Sequence, residues 1–289
     1  MRRWTKYSIV PGASGVIYKG IDSEFSEHST ATGGYDSLDA YIDQTTFFNK
    51  WFFDAGHCGR LQYYDNFIRK HIKASDEIFS IASGRSANEI RFLLEGFNIV
   101  CSDLQELPSY QKTRLLFPTY KFVSWNILDA PTAHKYDGII SLSLIYLFDR
   151  SQLDVFFRNV SNSLAEGGYL ILDSAGSPDN LTSRLLFEFL LKFEIFLVGY
   201  IKRAKSGFSE NYAVSIKAHG YRYNDIEIID IAARNGFILM TQENYGFLLD
   251  FQRSRILRYI MKIPGVERIF AILGRTIPYS RMYLFRKRN

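Results

Sequence analysis

Asp103 closes a stretch, Glu77 to Gln105 (EIFSIASGRSANEIRFLLEGFNIVCSDLQ), whose residue types and spacing suit the capture of a sugar-bearing ligand. An apolar, β-rich run at Ile78, Phe79 and Ile81 stops at a turn centred on Gly84. A helical pattern follows through Ile90, Leu93 and Leu94, and Gly96 breaks it. The next extended run, Asn98 to Ser102, delivers Asp103. Ligands of open α/β sheets bind in the crevice beyond the carboxyl ends of the strands, and an acid at the end of the second strand can accept both hydroxyls of a ribose. The unit therefore predicts a cofactor that carries a ribose.

The dinucleotide fingerprint G-x-G-x-x-G uses three glycines so that a pyrophosphate can approach the backbone and the helix N-terminus. Only Gly84 is present here. Ser86 takes the second position and Glu89 stands near the third, which sets a carboxylate where a diphosphate would lie. NAD and FAD are disfavoured on that ground. S-adenosylmethionine has a ribose and no phosphate, and it escapes the objection.

At these residues the chain resembles the class I S-adenosylmethionine-dependent methyltransferases, and the resemblance continues. Lys121 to Ser143 (KFVSWNILDAPTAHKYDGIISLS) looks like that family's third strand, adenine contact and fourth strand opened by Asp137. Ser151 to Asp173 (SQLDVFFRNVSNSLAEGGYLILD) is similar to its helix, Gly-Gly turn and fifth strand. The likeness covers roughly Ala74 to Phe247, and Arg281 to Phe285 would be a seventh strand inserted antiparallel. It implies a doubly wound, seven-stranded, mostly parallel α/β sheet of Rossmann-like type, with a helical N-terminal cap and helical insertions. It further implies that Ala82, Ser83, Gly84 and Ser86 wrap the methionine portion of the cofactor. Asp103 and Leu104 would hold the ribose, and Asn126 and Ile127 would contact adenine. Ser141 and Leu142 would line the methyl end. Two departures from the family pattern stand out: Ser86 replaces a usual glycine and Asn126 a frequent aspartate.

Periodicity supports the parallel reading independently. Helical runs closed by glycine and reopened by an aromatic strand occur at Glu95-Gly96-Phe97, Glu166-Gly167-Gly168-Tyr169 and Asn235-Gly236-Phe237. Glycine suits the residue past a helix end because it takes the left-handed conformation without a Cβ clash, and repeated helix, turn and strand means βα units with crossovers. Helices are predicted over Ser86 to Glu95, Ser151 to Ala165 and Asn224 to Arg234. With 289 residues and 47% hydrophobic content the chain can bury one sizeable core with appendages. Cys58 and Cys101 lie far apart and match no zinc spacing, so no metal site and a reduced, cytoplasmic compartment are expected. The basic N-terminus MRRWTKYSIVPG lacks the apolar stretch of a secretory signal.

Three regions flank the core and would carry specificity. Residues 1–73 read as an N-terminal unit, with helices at Ser37 to Asp54 and Leu61 to Ile72; a lid over the cofactor and a cap that only shields a sheet face both fit. Residues 74–289 form the cofactor-binding domain, with insertions at 177–218 and 248–280. The first insertion contains LLFEFLLKFEIFLVGYIKRAK, whose Glu188, Lys192 and Glu194 argue against a membrane span. Phe251 to Asn289 holds ten Lys or Arg against the single acid Glu267, a net of +9 in a chain whose total is +5. Within 251–275, Ile256, Leu257, Ile260 and Met261 share one side of a helix, and Arg255, Arg258 and Lys262 the other. Such a helix fits contact with an anionic membrane, or a solvated surface helix packed on the domain. Nucleic acid is not expected, since the charge is not interleaved with stacking aromatics in a recognised module.

If a methyl acceptor is a hydroxyl, a base must take its proton. His219, in the loop AHGYRYND, is the leading candidate, with Tyr146 and Asp173 as alternatives after the fourth and fifth strands. For each, a polar loop residue without a catalytic task is the plain alternative. The expected acceptor is a small molecule or a glycan- or lipid-linked one. A non-catalytic protein of the same fold that binds a partner or membrane through its basic helix is the competing reading.

Overall fold

The computed structural model describes residues 2–4, 7–9, 16–18, 55–84, 86, 89, 92, 93, 95–104, 114, 118–175, 189, 193, 196, 197, 200, 214–216, 220–245, 255–260, 263–266, 269 and 280–288. Near the N-terminus lie three short strands, β1 (Arg2–Trp4), β2 (Tyr7–Ile9) and β3 (Val16–Tyr18), followed by helix α1 (Ala55–His71). Next come β4 (Glu77–Ile81), β5 (Asn98–Asp103), β6 (Lys121–Ser124) and β7 (Tyr136–Ser141). A 3₁₀ turn at Ile145–Leu147 leads to α2 (Arg150–Ser163) and β8 (Leu164–Ala175). The chain then gives β9 (Val214–Ile216), β10 (Gly220–Arg222), α3 (Asp225–Arg234), β11 (Phe237–Tyr245), α4 (Arg255–Ile260) and β12 (Ser280–Lys287).

Seven of these strands form one sheet in the order β6-β5-β4-β7-β8-β12-β11. The pairs from β6 to β8 are parallel, and β12 enters antiparallel to both β8 and β11. This is the doubly wound arrangement expected from the sequence, including the antiparallel last strand. The central strands are buried on both faces, so they read as continuous apolar runs whose neighbours face opposite ways. Phe79, Ile139, Leu170 and Phe285 join Phe156, Phe157 and Val160 of α2 and Ile228 and Ile231 of α3 on one side. Ile78, Ile140, Ile171 and Met282 join Tyr64, Phe67 and Ile68 of α1, with Phe92 and Leu93, on the other. Burying each such side chain stabilises the fold by about 1.5–3 kcal/mol, which fixes the strand ends on which the site is built.

Local signals set the helix limits. Asp149 caps α2 in a reciprocal box with Gln152, and Asn224 caps α3 in another with Glu227; each box satisfies two otherwise orphaned N–H groups. Gly236 at φ +84° closes α3, and Gly96 at φ +84° closes the preceding helical turn at Phe92 and Leu93, as expected. The Gly-Gly turn behaves differently. Helix α2 ends at Ser163, and Leu164 and Ala165 already belong to β8, so Gly167 at φ +65° lies inside the strand. There the register with β7 shifts between Tyr136 and Gly138. The glycine permits a bulge in β8 rather than a helix cap.

The helix expected at Ser37 to Asp54 lies outside the described residues. The one expected at Leu61 to Ile72 is contained in α1, which buries Tyr64, Phe67, Ile68 and, just past its end, Ile72 against the sheet. Arg69 forks onto Glu95 with both terminal nitrogens and stacks over Phe92 at 4.8 Å, tying α1 to the segment after the Gly84 turn. Strand β1 pairs with β10, and β2 with β3 and β9, all antiparallel, so strands near the N-terminus meet residues 214–216 and 220–222. Among the described residues no helix is long and apolar enough to cross a membrane.

Candidate functional site

Between β4 and β7 the sheet order reverses, so the loops leaving these strands diverge and open a crevice at their carboxyl ends. The turn after β4 forms one wall. Its backbone alternates into the left-handed region at Ala82 (φ +53°), Gly84 (φ +53°) and Ser86 (φ +56°). Alternation of that kind curls successive peptide groups into a concave loop. Ser86 is therefore part of the turn and does not begin a helix as the sequence predicted. The Ser83 N–H donates to the Ser102 carbonyl at 2.8 Å, locking the turn against β5.

Asp103, the last residue of β5, is bound directly to this turn. The Gly84 N–H donates to its Oδ2 at 3.0 Å, and the Leu104 N–H to its Oδ1 at 2.8 Å. Each carboxylate oxygen can accept a further bond, so the fork is fixed in direction while able to receive two hydroxyls. Burial pushes the Asp103 carboxyl above the usual carboxylate range, and the two N–H donors oppose that shift. A Cβ added at Gly84 would meet nothing within 4 Å among the described residues, which leave the space in front of the turn open. An ionised fork beside an open, left-handed glycine fits a ribose and the chain attached to it.

A buried polar cluster supports the turn from behind. Ser86 is fully buried, and its hydroxyl lies 2.8 Å from the Tyr120 hydroxyl and 3.3 Å from that of Ser83. A non-glycine residue held in this region costs on the order of 1–3 kcal/mol, and these bonds offset part of that cost. Burial raises the Tyr120 hydroxyl well above its ordinary range, so it stays protonated and available as a donor. The Ser80 hydroxyl donates to Glu89 at 2.6 Å, and the Ser102 hydroxyl to the Ser80 carbonyl at 2.9 Å. Glu89 is thus buried and turned onto Ser80, whereas the sequence reading aimed it at the place a diphosphate would occupy. Cys101 lies in the same cluster, its thiol pushed up by burial.

The turn after β6 continues the first wall beyond β5, and β7 and β8 form the opposite one. The Asn126 side-chain oxygen accepts from the Leu128 N–H at 3.1 Å, which leaves its NH₂ edge to meet a base. Ile127 is buried, its carbonyl accepting from Asn159 Nδ2 at 2.7 Å. Ser141, at the tip of β7, is fully buried, and its hydroxyl has no hydrogen-bond partner among the described residues. Leu142 packs at the edge of the α1-side core. Ser143, left-handed at φ +55°, turns its N–H onto Asp173 Oδ1 at 2.5 Å. Tyr64 of α1 donates to Asp173 Oδ2, also at 2.5 Å. Asp173 is 4% exposed and therefore a held carboxylate, not a solvated loop acid.

The structure thus gathers Ala82, Ser83, Gly84, Asp103 and Leu104 on one wall, and it joins the tips of β7 and β8 through Ser143 and Asp173. Tyr146 is half-buried on the 3₁₀ turn beyond β7. His219 lies outside the described residues. Tyr64, Ser80 and Tyr120 escaped the sequence reading. Tyr64 lies 109 residues from Asp173 and gives no local signal, whereas the four serines at 80, 83, 86 and 102 around one turn were a visible hint. Among the described residues no three His, Cys, Asp or Glu cluster as a metal site would require.

No family model and no curated protein sequence matches the chain. Solved structures do. One similar structure is the 1,6-didemethyltoxoflavin-N1-methyltransferase of Burkholderia thailandensis with bound 1,6-didemethyltoxoflavin and S-adenosylhomocysteine. The identity is 11%, the match covers 98% of this chain and 96% of that one, and the TM-score is 0.56. Another is the magnesium protoporphyrin IX methyltransferase of Synechocystis PCC 6803 with bound S-adenosylmethionine, at 13% identity, 93% and 98% coverage and a TM-score of 0.54. The chain has the S-adenosylmethionine-dependent methyltransferase fold. At such identities the likeness is one of fold, and it spans nearly the whole of the chains compared.

Proposed function

We propose that this methyltransferase-fold chain binds S-adenosylmethionine and moves its methyl group to an oxygen or nitrogen of a small molecule, sugar or glycolipid precursor. The observation that carries the reading is the fork made by Asp103 with the N–H groups of Gly84 and Leu104, set beside open space at the sheet's switch point. The fork would accept the ribose hydroxyls and the Gly84 turn would hold the methionine portion. The NH₂ edge of Asn126 would meet a ring nitrogen of adenine, with Ile127 beneath it. The orphaned hydroxyl of Ser141 supports a polar ligand at the tip of β7.

The cofactor brings an electrophilic methyl carbon on a sulfonium. What this chain must do is align the acceptor with that carbon and keep water out, and positioning of this kind supplies several kcal/mol of rate enhancement. Where the acceptor is a hydroxyl, its proton needs a destination, and Asp173 is the best-supported group in the described residues. Tyr64 and the Ser143 N–H hold both of its oxygens in place.

Calorimetry of the full chain with S-adenosylmethionine and, separately, with NADH tests the reading. Binding of the first and not the second, followed by release of S-adenosylhomocysteine with a hydroxyl or amine acceptor, is the expected result. Binding of NADH alone would overturn it.

A further inference from the structure

Fourteen large apolar side chains stand exposed among the described residues, and nine of them fall in two short segments. The first holds Phe189, Phe193, Phe196, Leu197 and Tyr200, exposed by 39–73%. Positions 193, 196, 197 and 200 are helical, and on an ideal α-helix of 3.6 residues per turn the five sequence positions would share an arc of about 100°. The second holds Tyr259, Ile260, Ile263 and Ile269, exposed by 37–70%. The other five are scattered singly over the sheet and its helices, as is ordinary for a protein surface.

The charge written into the two segments is mainly positive, although the first stripe itself holds Lys192 beside Glu188 and Glu194. Lys202, Arg203 and Lys205 follow directly after the first stripe. In the sequence, the stretch from 253 to 275 that contains the second carries Arg253, Arg255, Arg258, Lys262, Arg268 and Arg275 against the single acid Glu267. Exposed aromatic and aliphatic side chains interleaved with Lys and Arg match an anionic lipid surface, where apolar groups enter the headgroup boundary and cations meet lipid phosphates. A second copy of this chain would bring the same positive charge to the contact and be repelled by it.

We propose that segments 189–205 and 255–275 form a surface by which the protein lies on an anionic membrane. The described residues that build the crevice all lie outside these two segments, so the inference is argued independently of the proposed chemistry. It favours an acceptor that is itself held in the membrane.

Vesicle co-sedimentation of the full chain tests this, with phosphatidylcholine alone and with about 30% phosphatidylglycerol added. The protein is expected to sediment with the anionic vesicles only. Raising salt from about 0.05 to 0.5 M should weaken the partition at least tenfold, since surface charge is then screened within a few ångströms. Two variants separate the contributions. Phe193→Ser/Phe196→Ser removes apolar contact, and Arg258→Gln/Lys262→Gln/Arg268→Gln removes charge. Both are expected to lower the bound fraction several-fold while retaining the wild-type circular dichroism, and if the first fails to fold the second decides. Binding that ignores lipid charge and salt would overturn the proposal, as would failure of the wild-type protein to bind anionic vesicles. Sedimentation equilibrium without lipid gives the remaining outcome: a dimer dissolved by Phe193→Ser/Phe196→Ser would assign the face to a second copy and overturn the membrane reading.

Discussion

Replacing Ser86 distinguishes a strained turn from a position inside a helix, because the two assign opposite order to the same pair of substitutions. In the structure Ser86 is left-handed at φ +56° and anchored by its hydroxyl to Tyr120 at 2.8 Å. Ser86→Ala keeps the strained backbone and removes the anchor, a net loss of about 0.5–1.5 kcal/mol for the hydrogen bond. Ser86→Gly loses the same bond but relieves a left-handed strain of about 1–2 kcal/mol, offset by about 0.5–1 kcal/mol of unfolded-chain entropy. Glycine is therefore expected to be more stable than alanine, by several tenths to about 1 kcal/mol. Were Ser86 a helical residue, alanine would win by about 1 kcal/mol. Urea unfolding of the two variants, compared at equal m-values, reads the difference. Tyr120→Phe adds a cross-check, since its effect should shrink in the Ser86→Gly background through a coupling of about 1 kcal/mol. Alanine more stable than glycine, or strictly additive effects, would refute the account of the turn.

Two further predictions follow from particular contacts. A Cβ at Gly138 would lie 2.4 Å from the Tyr169 ring, which crosses that glycine to donate to Asp76 at 2.9 Å; Gly138→Ala should therefore cost about 1–3 kcal/mol in urea unfolding, and much less when Tyr169 is also changed to Leu. Cofactor affinity should depend on pH through Asp103. Its ionised form accepts the ribose hydroxyls, so binding is full above its raised pKa and falls about tenfold per pH unit below it. Because the shift is upward, that fall begins at a higher pH than an exposed aspartate would give. Calorimetry across the acidic range measures it, and Asp103→Asn should remove this component.

Much of the site was legible because its parts are local. The chain needs only one strand, one turn and one helix to return from Gly84 to Asp103, and residue spacing alone announced that the two would meet. Their direct hydrogen bond is the structural form of that spacing. Ser86 was misread because Ser-Ala-Asn-Glu has the composition of a helix N-terminus, and nothing local reveals that a tyrosine 34 residues away holds it left-handed. Glu89 was misdirected for a similar reason: its partner, the Ser80 hydroxyl, lies on the strand beneath it. The Asp149 and Gln152 box, by contrast, was available in the sequence, and it moves the start of α2 one residue earlier than the apolar pattern did. Long-range pairs such as Tyr64 with Asp173 depend on how α1 crosses the sheet, which no short window of sequence contains.

The claim at the centre is that the Asp103 carboxylate, oriented by Gly84 and Leu104, grips a ribose. Calorimetry of S-adenosylhomocysteine against the wild-type chain and Asp103→Ala tests it most directly, with the 2′-deoxy analogue of the ligand as a second arm. Two charge-assisted hydrogen bonds at about 1.5–3 kcal/mol each predict an affinity loss of at least about 100-fold in the variant, and a smaller loss for the deoxy ligand that disappears in the Asp103→Ala background. Equal affinity for both proteins, or a deoxy penalty that persists without the carboxylate, would contradict it.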